Sequence, residues 1–155
     1  MAIDQKTKET LITDFFSATG PTYDPVVFGF TLGIDRLWKK KMVETLRKGH
    51  PSAPPGKILD LACGTGLLTF LMAEQFPKSE IVAVDISPGY LEMAWRNGFR
   101  RGIRNVSFVL SSAEGFVPSE QFYVVTSSYL AKYADLSLLV HNLSGIVCPG
   151  GTVLF

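Results

Sequence analysis

The sequence predicts an α/β fold: a doubly wound, mostly parallel sheet of about five strands, with N-terminal helices laid over its ligand edge. Three observations predict it. Beyond residue 56, short apolar runs alternate with helical stretches, the pattern of βαβ units. One of those runs passes into a glycine-rich turn, Cys63-Gly64-Thr65-Gly66, at the start of a helix. The 155 residues are 46% hydrophobic and 12% aromatic against 19% charged, enough apolar surface for a core and unlike a disordered, collagen-like or coiled-coil chain. One compact domain is expected, with residues 1–50 as a helical cap and 51–155 as the ligand-binding core.

Each element has a local cause. Leu11, Ile12, Phe15 and Phe16 recur at helical spacing over Thr7 to Ala18, and Gly20-Pro21 ends that helix. A second helical pattern runs from Ile34 to Leu46, and the three prolines and one glycine of His50 to Gly56 form a linker. Strand one is Lys57 to Ala62, followed by the turn and a helix from Leu67 to Gln75 that Pro77 closes. Strand two is Glu80 to Val84. Ser87-Pro88 supplies an N-cap and a first-turn proline for a helix reaching Asn97 or Arg101. Strands three and four are Val106 to Leu110 and Phe122 to Thr126. Asp135 caps a last helix whose stripe is Leu136, Leu139, Val140, Leu143 and Val147; Cys148-Pro149-Gly150-Gly151 is its exit turn, and strand five begins at Thr152.

Composition excludes several function classes. Fifteen basic and fourteen acidic side chains leave a formal charge of +1, so no summed field drives binding to nucleic acid or an anionic membrane. Cys63 and Cys148 lie far apart and His50 and His141 sit near neither, so neither a disulfide framework nor a metal site is expected. No apolar run approaches the ~20 residues needed to span a bilayer, and the polar N-terminus is unlike a signal peptide; a soluble, cytoplasmic protein acting on a small molecule is expected.

In an open parallel sheet ligands bind beyond the carboxyl ends of the strands. At the first such end, glycines allow close approach and the free N–H groups of Gly66 and Leu67 suit a carboxylate or a phosphate. Dinucleotide-binding proteins also use a Gly-x-Gly turn and an acid near the end of strand two, where Asp85 lies. Two details separate the possibilities. The third fingerprint position, normally Gly or Ala, is Thr69, and an acid, Asp60, sits four residues before Gly64. That carboxylate would repel a pyrophosphate and attract an ammonium, which favours an amino acid derivative.

The run Asp60-Leu61-Ala62-Cys63-Gly64-Thr65-Gly66 resembles the cofactor motif of class I S-adenosylmethionine-dependent methyltransferases, whose sheet is Rossmann-like. With Tyr23-Asp24, Gly33-Ile34-Asp35-Arg36-Leu37-Trp38-Lys39 and Pro149-Gly150-Gly151, the chain is similar, from about Phe15 onward, to the C-methyltransferase family of ubiquinone and menaquinone biosynthesis. The resemblance implies S-adenosylmethionine as cofactor and a small, apolar or aromatic methyl acceptor. It implies that Asp60 faces the methionine ammonium and that Ala62, Gly64, Thr65 and Gly66 frame the methionine. Asp85 would accept from both ribose hydroxyls, Ile86 would cover the adenine, Ser112 and the N–H of Ala113 would meet the ring's edge, and Ser128 would lie at the methionine end. Tyr23 would close over the cofactor, and no metal is implied.

Each residue also has a structural role to weigh. Asp60 is alternatively a strand-end acid satisfied by backbone donors, and Asp85 a cap of the turn before the Ser87 helix. Phe15, Phe16, Phe28, Phe30 and Trp38 read as core, Lys39 to Lys41 as a solvated face, and Cys63 as a small buried filler. The chain departs from the family at Phe122-Tyr123, where Phe-Asp is usual, and at Ala131-Lys132-Tyr133, where quinone-forming members carry Arg-Asn. Lys132 is the best of the weak candidates for a catalytic base. The family order 3-2-1-4-5-7-6 is expected to lose its last two strands here, leaving the Gly151 to Phe155 edge to pair with a second copy in a homo-oligomer. A binding module without catalysis, and a nicotinamide-dependent oxidoreductase, are the alternative functions.

Overall fold

The computed structural model describes residues 34–49, 56–128 and 136–155. The helix expected over Thr7 to Ala18, the Pro-rich linker up to residue 55, Tyr23, Lys132 and the Asp135 cap lie outside the described residues. Helix α1 (Ile34–Gly49) precedes β1 (Lys57–Leu61), α2 (Leu67–Gln75), β2 (Glu80–Asp85), α3 (Pro88–Arg100), β3 (Val106–Leu110), β4 (Phe122–Thr126), α4 (Leu136–Ile146) and β5 (Val147–Leu154). The five strands form one sheet in the order β3-β2-β1-β4-β5, every neighbouring pair parallel. This is the Rossmann-like order that the resemblance implied.

Alternation along the strands splits the core in two, because successive side chains leave opposite faces. Ile58, Ile81 and Val124 meet Met42, Val43 and Leu46 of α1 and Leu68 and Met72 of α2 on one face. Leu59, Val84 and Val125 meet Leu139, Leu143 and Ile146 of α4 on the other. The central strand β1 is covered on both sides, which is why, after Lys57 at its start, its sequence is apolar except at Asp60. No described helix is long and apolar enough to cross a membrane.

Four expectations are corrected. Strand β5 begins at Val147 and not at Thr152: α4 ends at Ile146, Val147 pairs with Phe122, and the supposed exit turn is absorbed into the strand as an irregularity opposite Phe122 to Val124. A Cβ on Gly151 would lie 2.7 Å from Val147 Cγ1 and 2.9 Å from the Tyr123 carbonyl oxygen, so glycine is what this crowded crossing admits. The buried stripe of α4 is Leu139, Leu143 and Ile146, with Val140 exposed. Trp38 is exposed and not core, while Lys39, expected on a solvated face, is buried, because the inward stripe of α1 is Asp35, Lys39, Met42, Val43 and Leu46.

Candidate functional site

Parallel register brings the carboxyl ends of β1, β2 and β4 side by side. Asp60, one residue from the end of β1, stands opposite Ala83 of β2 and Thr126 of β4. It is 1% exposed. Its Oδ2 accepts a hydrogen bond from Thr69 Oγ1 at 2.6 Å and its Oδ1 one from Thr126 Oγ1 at 3.0 Å. Burial pushes this carboxyl up to about 6; the two hydroxyls and the charge of Lys39 pull it down, and Asp85 pushes it up. The donors are hydroxyls of α2 and β4, not the backbone donors weighed as the structural alternative.

The chain then turns sharply. Ala62 has φ 54, a left-handed conformation that a residue with a side chain rarely adopts. Cys63 N–H donates to the Val84 carbonyl at 3.0 Å and Gly66 N–H to the Cys63 carbonyl at 3.1 Å, which ties the turn to β2 and closes it. Gly66, with φ 89, caps α2, and a Cβ there would sit 2.5 Å from the Phe70 ring; both constraints require glycine. Gly64 differs: a Cβ on it would meet nothing within 4 Å, so the backbone over it is open to a close approach. Thr65 is buried, and its carbonyl accepts from Asn97 Nδ2 of α3 at 3.4 Å. Cys63 is a buried filler: burial pushes its thiol well above the ordinary range, the opposite of what a nucleophile needs.

Asp85 ends β2 and joins the two turns. Its Oδ2 accepts from the Gly64 N–H at 2.7 Å and its Oδ1 from the Ser87 N–H at 2.9 Å. Burial raises its carboxyl and these backbone donors lower it. The capping role and the ligand role are therefore compatible, since each oxygen retains a further lone pair. Ile86 is half-buried beside it, and Ser87 caps α3 by accepting from the Tyr90 N–H at 3.4 Å, with Pro88 at the first helical position.

At the third strand end, Ser111 N–H donates to the Asp85 carbonyl, Ser112 Oγ accepts from the Gly115 N–H at 3.0 Å, and Ala113 is buried. Ser112 thus closes its own loop. Ser128 is half-buried after β4, and the hydroxyl of its neighbour Ser127 is buried with no hydrogen-bond partner among the described residues.

The structure draws Asp60, Gly64 and Asp85 into one constellation, with Ile86 and Ser111 adjoining Asp85. Sequence reasoning missed Thr69, Thr126 and Lys39. Thr69 was a departure from the dinucleotide fingerprint; its hydroxyl secures Asp60. The signal for Lys39 was its four-residue spacing from Asp35 on the stripe that Met42 and Leu46 continue.

The model of the ubiE/COQ5 methyltransferase family matches residues 4–155. The chain belongs to this family. It is 32% identical over 141 residues to a demethylmenaquinone methyltransferase of Thermus thermophilus, covering 90% of this chain and 62% of the relative. It is 31% identical over 157 residues to the ubiquinone/menaquinone biosynthesis C-methyltransferase UbiE of Shewanella oneidensis, covering 98% and 61%. The chain thus spans about three-fifths of the length of these curated relatives. Among solved structures, DhpI in complex with SAH superposes with a TM-score of 0.71 at 23% identity over 91% of this chain and 64% of that one. Coclaurine N-methyltransferase, bound to N-methylheliamine and SAH, gives 0.66 at 22% over 75% and 35%. At that identity they establish the shared fold.

Proposed function

We propose that this ubiE/COQ5 family chain binds S-adenosylmethionine and serves transfer of its methyl group to a small, apolar or aromatic acceptor. The observation that carries this is the state of Asp60: a carboxylate shut away from water at a strand end, held by two hydroxyls, with its direct contacts among the described residues supplying no cation. Such a group is costly to keep ionised unless a positive guest completes it, and the methionine ammonium is that guest. When bound, S-adenosylmethionine supplies a methyl group already activated by its positive sulfonium.

The remaining residues fit the same cofactor. Asp85, fixed by two backbone donors, presents its free lone pairs for the ribose hydroxyls, and the bare backbone at Gly64 leaves room beside it. Ala62, Thr65 and Gly66 shape the turn that frames the methionine, while Ile86, Ala113 and Ser112 flank the adenine side. Ser128, next to the Ser127 hydroxyl that has no partner among the described residues, borders the methionine end. Tyr23 as a cover and Lys132 as a base belong to the same proposal. The chain's work is alignment of the two reactants and exclusion of water, with little acid–base chemistry demanded.

Calorimetric titration with S-adenosylhomocysteine and, separately, with NADH tests the assignment. Saturable binding of S-adenosylhomocysteine alone is expected; binding of NADH alone overturns it. Asp85→Ala is expected to weaken S-adenosylhomocysteine by ~1–3 kcal/mol through lost charge-assisted hydrogen bonds, and an unchanged affinity in the folded variant removes Asp85 from the site. Methyl transfer to a panel of phenols and quinols then tests the acceptor class.

A further inference from the structure

We propose that the buried Asp35–Lys39 ion pair of α1 sets the charge of the cofactor pocket: Asp35 holds the Lys39 ammonium, so that Asp60 is left to receive the ammonium of the guest. Asp35 and Lys39 are positioning residues in this account, which rests on the assignment of Asp60 to the methionine end.

The geometry is specific. Lys39 Nζ lies 2.9 Å from Asp35 Oδ1 and 2.8 Å from Oδ2, so both carboxylate oxygens take the one ammonium. Each side chain is about nine-tenths buried, unlike the exposed α1 pairs Lys41–Glu44 and Lys48–Glu44. The pair sits on the stripe whose later members, Met42, Val43 and Leu46, pack with Leu68 and Met72 of α2. Of these two helices α2 touches the site, so α1 borders it through α2. Thr69 of α2 donates to Asp60, and Thr126, which also donates to Asp60, lies 3.6 Å from Met72 Sδ.

The charges facing Asp60 among the described residues are Lys39 from α1, which favours its ionised form, and Asp85 from β2, which opposes it; α2 and β4 present hydroxyls. A resident ammonium whose field reaches Asp60 repels an incoming ammonium unless its charge is offset. Asp35 offsets it. The residual field still favours ionised Asp60, so the pair keeps the acid charged and its place vacant.

The test compares wild type, Asp35→Asn and the double variant Asp35→Asn/Lys39→Met, titrated between pH 5 and 7 with S-adenosylhomocysteine and with 5′-methylthioadenosine, which lacks the ammonium. Asp35→Asn is expected to weaken S-adenosylhomocysteine about tenfold, the size of a one-unit electrostatic change, with methylthioadenosine unaffected. The double variant is expected to recover most of that affinity. The pH midpoint of binding, which reports ionisation of Asp60, is expected to rise in the order Asp35→Asn, wild type, double variant, as is the Asp60 titration followed by carboxyl-carbon NMR in the free protein.

Loss of both ligands together in Asp35→Asn marks a merely structural pair and overturns the inference, as does an unchanged order of midpoints. If Asp35→Asn does not fold, the double variant decides: its midpoint must exceed that of wild type. Failure of wild type to bind either ligand overturns the cofactor assignment itself, whereas the NMR titration judges the charge coupling separately.

Discussion

Asp60 works against the stability of the fold that holds it. Its carboxyl is raised from 3.8 to about 6 in the folded chain, so the folded state holds the proton more tightly than the unfolded one between those values. The sign follows: this residue's contribution is most favourable below about pH 4 and is lost as pH rises through 6, a change of about 3 kcal/mol at 1.36 kcal/mol per unit. Asp60→Asn keeps an acceptor and a donor for the two threonine hydroxyls. It is expected to raise stability at pH 7 by ~1–3 kcal/mol and flatten the decline between pH 4 and 6, while abolishing S-adenosylhomocysteine binding. Urea denaturation across that range checks it; an unaltered pH slope shows that the strain lies elsewhere. The two turn glycines should separate as well. Both have positive φ, but Gly66→Ala also meets the Phe70 ring and is expected to cost about 2 kcal/mol or more, whereas Gly64→Ala, at φ 56, meets open space and is expected to cost about 1 kcal/mol but to obstruct the ligand. Asp60, Gly64, Gly66 and Asp85 were legible because strand ends and glycine turns are local patterns. The partners of Asp60 were not, since Thr69 is nine residues away and Thr126 is sixty-six.

At the scale of elements, helix α3 shows how far local rules reach. Ser87 and Pro88 specified its start, and the side chain of Ser87 does accept from the Tyr90 N–H. Ser87→Ala is expected to cost ~1 kcal/mol in thermal or denaturant unfolding, with S-adenosylhomocysteine affinity little changed; a neutral outcome means that the 3.4 Å contact contributes nothing to stability. Helix α1 marks where such rules stop. Three consecutive lysines look like solvent-facing charge, but a helix turns 100° per residue, so a run of three cannot share a face. Lys39 is on the inward stripe, and Lys40 and Lys41 are outside. Strand β5 carries a similar lesson. Pro149-Gly150-Gly151 is ordinary turn chemistry, yet sheet pairing from Val147 to Leu154 absorbs it, with Gly150 at φ 78 and Gly151 wedged against Tyr123.

For the molecule as a whole, β3 and β5 border the sheet, and at the β5 border Val153 and Phe155 are 42% and 40% exposed. Strand edges with apolar side chains pair with other chains, so the 155-residue chain is expected to self-associate through Gly151 to Phe155. Light scattering checks this: a dimer or larger species that Val153→Lys dissociates is expected, and a strict monomer counts against it. Chain order and apolar periodicity settled the five strands, the helices between them and the two acids at strand ends, because each depends on neighbours within a few residues. Assembly in three dimensions settled the rest: which hydroxyls clasp Asp60, that a lysine is sealed in beside an aspartate of its own helix, and that β5 starts before its turn. Burial and electrostatic coupling depend on distance in space: parallel register sets Thr126 beside Asp60, and packing of α2 on the sheet brings Thr69 to it.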